Sequence, residues 1–162
     1  MAKSLTELYD EDFYAWTQDQ AAAIRELQGN NRLDVEHLAE EVADLGRSEL
    51  NAALSFAEQI VAHLLKLDYS SQPEPRPHWR AEVVGFRANL ERVMTPTIRR
   101  KLEADLDGIY RRACRTAAAA SHAHEPDLAH RFPKTCPYDW PTIWQRDVFA
   151  EAGFELPDPG GN

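Results

Sequence analysis

The 162 residues include only two cysteines, Cys114 and Cys136, too few for a disulfide framework. There are 7 glycines and no sustained alternation of β-branched and polar residues, so a sheet has little to build on. Long hydrophobic runs are missing too. The longest, Ile60 to Leu67, is interrupted by His63 and Lys66 and falls well short of a membrane span. The N-terminal residues carry no apolar signal core. Glycine-rich phosphate loops, the His-Glu-x-x-His zinc motif and the Gly-x-Ser-x-Gly nucleophile turn are all absent. These absences point to a cytoplasmic protein with no implied cofactor and no recognisable catalytic motif.

What is present suits a globular chain, with 43% apolar and 28% charged residues. Folding at this length removes about 70% of the unfolded surface from water, so neither a metal nor disulfides are required. Residues 1–155 read as one domain. Residues 156–162, with two prolines and two glycines, read as a frayed tail.

The net charge of −9 is unevenly placed. Residues 1–72 carry 14 acids and 5 bases, whereas residues 73–162 carry 13 of each. Between residues 76 and 115 the balance turns basic, with 10 bases against 5 acids. Acidity of the whole argues against nucleic acid, which requires phosphate neutralisation. The basic helix expected after Thr95-Pro96 has neither interleaved aromatics for stacking single strands nor a helix-turn-helix pattern. Acidic helices packed beside basic ones, or a bipolar surface that docks a protein partner or a second copy, remain as its meaning.

Apolar residues recur at steps of three and four, the period of a helix. Asp10 predicts the start of a first helix, with Phe13, Trp16, Gln20, Ala23, Ile24 and Leu27 on one face and Gly29–Asn31 as its stop. Ser4 and Glu7 have the spacing of a capping box for a short earlier turn. A second helix from Asp34 to about Asp68 carries Leu38, Val42, Leu45, Glu49, Ala52, Phe56, Ile60, His63 and Leu67 on one stripe, with Gly46 as the expected kink or restart. A third follows through Trp79, Val83, Phe86, Leu90 and Val93. Thr95-Pro96 opens a fourth, which runs to about Ala120. A last short helix is expected from Asp139 to about Ala150. The architecture is therefore all-α: a single-domain helical bundle of four long helices plus a short C-terminal one.

Glu49 and His63 are the polar intruders on the apolar stripe of the second helix. Buried, each needs a partner, and along one helix they lie about 21 Å apart. Glu-x-x-His pairs, which bundle di-iron sites use, do not occur. His122, His124, His130 and Cys136 share one polar segment and are the weak candidates for metal, although their spacing matches no usual zinc pattern. Aromatics cluster at both ends: Tyr9, Phe13, Tyr14 and Trp16, then Phe132, Tyr138, Trp140 and Trp144.

The string Leu8-Tyr9-Asp10-Glu11-Asp12-Phe13-Tyr14-Ala15-Trp16 resembles the start of a bacterial family known as domain of unknown function 29. Similar segments follow in the family's order: His37 to Val42, Leu45 to Glu49, His63 to Lys66, Trp79-Arg80, and Phe132 to Tyr138. The resemblance covers about residues 5–150. It implies a small, mostly α-helical bacterial protein and transfers no catalytic residue. Its motif residues include Asp12, Trp16, Glu41, Glu49, His63 and Lys66, which implies a polar cluster between the first two long helices.

The expected function is a non-enzymatic protein–protein interaction module, accessory or self-associating as a homodimer. The first alternative is an enzyme or small-ligand binder with a polar pocket between the first two long helices. The second is metal binding through the 122–136 histidines and cysteine.

Overall fold

The chain turns within its first dozen residues. The computed structural model describes residues 4–27 and 32–154, and every regular element among them is helical. Helix α1 (Leu5–Glu11) opens with the capping box: the Ser4 hydroxyl accepts from Glu7 N–H at 3.2 Å, and the Glu7 carboxylate accepts from Ser4 N–H at 2.8 Å. Helix α2 (Phe13–Arg25) begins immediately after Asp12, whose carboxylate accepts from Ala15 N–H at 3.1 Å. The break thus falls at Asp12 and not before Asp10. An aspartate side chain that captures a backbone N–H competes with helix continuation and wins here. The stop expected at Gly29–Asn31 and the tail 156–162 lie outside the described residues.

Helix α3 (Val35–Tyr69) is unbroken and roughly 50 Å long. Gly46 does not restart it: the helix runs through this residue without a break. Glycine stands there because α2 comes close: a Cβ at Gly46 would overlap Thr17 Oγ1 and lie 3.1 Å from Gln18 Nε2. The buried face of this part of α3 is accordingly a strip of small residues, Ala39, Ala43 and Gly46, packed with Ala21 and partly buried Ile24 and Val42. This corrects the expected stripe. Leu38 and Leu45 are 44% and 54% exposed.

Helices α4 (Arg76–Val93), α5 (Pro96–Ala104) and α6 (Leu106–Ser121) follow. Thr95 caps α5 as the sequence predicts, its hydroxyl accepting from Ile98 N–H at 3.2 Å. The expected fourth helix is divided at Asp105, which takes the C-cap of α5. The polar stretch after α6 forms the short helix α7 (Leu128–Arg131), and α8 (Trp140–Gln145) ends earlier than the predicted Ala150. Arg87 explains that stop. It donates to the carbonyls of Ile143 at 2.8 Å, Arg146 at 2.7 Å and Thr142 at 3.2 Å, satisfying the end of the helix with one guanidinium. A 3₁₀ turn (Ala150–Ala152) closes the described chain.

The chain forms two compact units, Met1–Phe56 with Asn89–Asp105, and Ala57–Ala88 with Leu106–Asn162. The division at Asp105 separates α5 from α6. In the first unit Leu90, Ile98 and Leu102 are fully buried. In the second, Ile60, Val61, Leu64 and Leu65 of α3 are fully buried, as are Val83, Ile109, Leu128 and Ile143. Each such side chain contributes about 1.5–3 kcal/mol on removal from water.

Candidate functional site

In the first unit Asp12 serves two helices at once. Its Oδ1 caps α2 through Ala15, and its Oδ2 accepts from Thr97 N–H at 2.9 Å in the first turn of α5. Burial alone would raise this carboxyl; the bonds from Ala15, Thr97 and Thr95 outweigh that and hold it below the usual carboxylate range. Asp12 is a structural joint. Trp16 stacks on Phe13 with centroids 5.8 Å apart and meets the edge of Tyr9 at 4.8 Å.

The outer face of the same unit is unusual. Six of the seven large apolar residues that stand exposed among the described residues belong to this unit: Leu5, Tyr9, Leu27, Leu33, Leu38 and Leu45. Leu38 and Leu45 are two turns apart on α3, so they share one strip, with Glu41 between them and Asp34 one turn earlier. Glu36, Glu40 and Asp44 are also exposed, but further round the helix from this strip. Arg47 pairs with Asp44, and Arg25 with Glu36 at 3.5 Å. Asp34 binds the His37 ring at 2.7 Å, which lowers the acid and raises the imidazole. Glu41 is exposed on this face. Glu49, half-buried, instead lines a cavity of about 290 Å³ with Asp10, Tyr14 and Arg92.

His63 and Lys66 belong to the second unit. His63 Nδ1 lies 2.7 Å from the Gln59 carbonyl, one turn back, and its ring sits 5.7 Å from that of Phe86. Burial lowers its pKa. Lys66 places its ammonium 5.2 Å from the centre of the Trp79 ring, and burial brings it down to about 8 against the opposing pull of Glu82. The six motif residues therefore divide, with Asp12, Trp16, Glu41 and Glu49 in one unit and His63 and Lys66 in the other. No buried side-chain nitrogen or oxygen among the described residues lacks a hydrogen-bond partner.

The model of the family described as domain of unknown function DUF29 matches residues 8–149. The chain belongs to this DUF29 family. A similar fold occurs in the crystal structure of an alpha-helical protein of unknown function from Rhodospirillum rubrum, at 30% identity and a TM-score of 0.75, covering 94% of this chain and 96% of that one. Comparison with curated proteins gives no match.

The remaining candidates of this DUF29 chain are placed apart. His122, His124 and His130 are exposed, and the Cys136 thiol donates to the Tyr138 carbonyl at 3.3 Å. Among the described residues no group of three His, Cys, Asp or Glu side chains is arranged to hold a metal ion. No described helix is long and apolar enough to cross a membrane. Periodicity missed the exposed leucines because it counts apolar residues at helical spacing. The alternative small-residue strip, Ala39-x-x-x-Ala43-x-x-Gly46, was the available signal.

Proposed function

We propose that this protein is a non-enzymatic interaction module whose first unit docks a basic amphipathic helix of another protein. One observation carries this: leucines 38 and 45 stand in water on one strip of α3, bordered by Asp34 and Glu41. Apolar positions two turns apart, bordered by one sign of charge, are what a helix with leucines flanked by lysine or arginine complements. A second copy is the poorer occupant, because two such strips would bring like charges together. Exposed Leu5 and Tyr9, one turn apart on α1, supply further apolar surface in the same unit. The two free cysteines suit a reducing bacterial cytoplasm, where we place its work.

The test uses a fluorescent 18-residue peptide with leucines at helical spacing flanked by lysines, and its twin flanked by glutamates. Only the lysine peptide binds. The double variant Leu38→Asp/Leu45→Asp keeps its fold, since both side chains are exposed, and loses most of that affinity although it gains two negative charges. Stronger binding by the variant would mean mere charge attraction and would remove the docking face.

A further inference from the structure

The second unit contains a cavity of about 490 Å³, within the size range of small-molecule sites. Its apolar wall is made by Trp79, Pro75 and Ala120. Its titratable lining consists of Glu74, His124 and Glu125, with no lysine or arginine. Glu125 is 6% exposed and anchors the loop after α3. Its Oε1 accepts from Ser71 N–H at 2.9 Å, the Ser71 hydroxyl at 2.8 Å and Arg131 at 2.6 Å. Its Oε2 accepts from the Ser70 hydroxyl at 2.5 Å. Each carboxylate oxygen offers two lone pairs, so Oε2 retains one for a further donor.

We propose that this cavity binds a small organic cation, a primary alkylammonium or guanidinium. The charged head donates to Glu125 Oε2 and is drawn by Glu74 at the exposed rim, while the alkyl part lies against Trp79, Pro75 and Ala120. Trp79 already serves as a platform for one ammonium, that of Lys66, which Glu82 answers electrostatically. An anion would face two carboxylates and no lining lysine or arginine. A neutral alcohol could donate to a carboxylate but would lack the charge attraction of both. This site is independent of the acidic face on the first unit.

Titration calorimetry of the full chain with butylammonium and butylguanidinium, against 1-butanol and butyrate, tests the assignment. The cations bind with Kd on the order of 1 mM, the scale that so few atoms allow, and the two controls do not. Glu74→Gln, an exposed change that spares the fold, weakens the cations about fivefold. Glu125→Gln, its melting curve checked first, weakens them further; if it does not fold, Glu74→Gln decides alone. Amide shifts in NMR on adding butylammonium fall on residues 70–79 and 120–125. Equal binding of 1-butanol or butyrate, unchanged affinity in Glu74→Gln, no binding at 10-fold above that concentration, or shifts confined elsewhere would each overturn the proposal.

Discussion

Gly46→Ala sets two effects of opposite sign against each other. Helix propensity alone predicts a gain of about 1 kcal/mol for alanine in the middle of α3. Packing predicts a loss. The new methyl would overlap Thr17 Oγ1 and lie 3.3 Å from Thr17 Cβ. Thr17 is fully buried, and its hydroxyl donates to the Tyr14 carbonyl at 2.7 Å while accepting from Gln18 Nε2 at 3.3 Å. Rotating it away costs about 1 kcal/mol of hydrogen bonding. Forcing a methyl into a filled contact costs about 1–3 kcal/mol more. The net expectation is a destabilisation of about 1–3 kcal/mol. Urea unfolding at pH 7, run on the wild type, Gly46→Ala, Thr17→Ala and the double variant, reads both the sign and the coupling. Removing the hydroxyl and methyl of Thr17 makes room, so Gly46→Ala is less damaging in the Thr17→Ala background, by about 1 kcal/mol. A stabilising Gly46→Ala with no coupling to Thr17 would refute the close approach of α2, and with it the reason Leu38 and Leu45 face outward.

Two further substitutions test the buried polar groups. Asp12→Ala removes the cap of α2 and the acceptor for Thr97 N–H in the first turn of α5, and costs about 2 kcal/mol at neutral pH, about 1 for each. Because the Asp12 carboxyl titrates lower when folded than its ordinary 3.8, its contribution is present above that value and fades as pH falls through the folded pKa. The stability gap between wild type and Asp12→Ala therefore narrows below about pH 4, as acid-range unfolding curves will read. Lys66 behaves oppositely: its pKa falls from 10.5 to about 8, so the protonated amine weighs against the fold below pH 8, and stability rises as pH climbs from 8 to 10.5. Lys66→Met stabilises the protein at pH 7 by on the order of 1 kcal/mol, with the advantage shrinking towards pH 10.5; a loss at pH 7 would mean that the contact with Trp79 outweighs burial.

The helical class was legible because the apolar period recurs along most of the chain, and two caps, Ser4 with Glu7 and Thr95, were readable from residue type and spacing. The joints were less so. Asp12 and Asp105 divide helices that periodicity runs together, since a period registers side-chain faces and not the competition of a carboxylate for a backbone N–H. The buried face of α3 was read from its largest apolar residues, whereas close helix packing selects its smallest ones, Ala39, Ala43 and Gly46. For the candidate site, sequence marked Glu49 and His63 as polar residues on a buried face, and the structure finds the first half-buried and the second buried. It left unread the cavity beside Glu125, whose lining joins a loop after α3 to the end of α6, because nothing local announces a contact between residues 54 or 55 apart.

The docking face is most directly examined by photo-crosslinking in the source cells. A benzoylphenylalanine replaces Leu45, and in a control it replaces exposed Arg111. Crosslinked products are identified by mass spectrometry at the level of the joined peptides. From position 45 we expect one dominant partner, joined through a helical segment with leucines flanked by lysine or arginine and absent from the Arg111 control. Products that consist only of a second copy of this chain, or that match those from position 111, would show that the strip of Leu38 and Leu45 is no docking face for a basic helix.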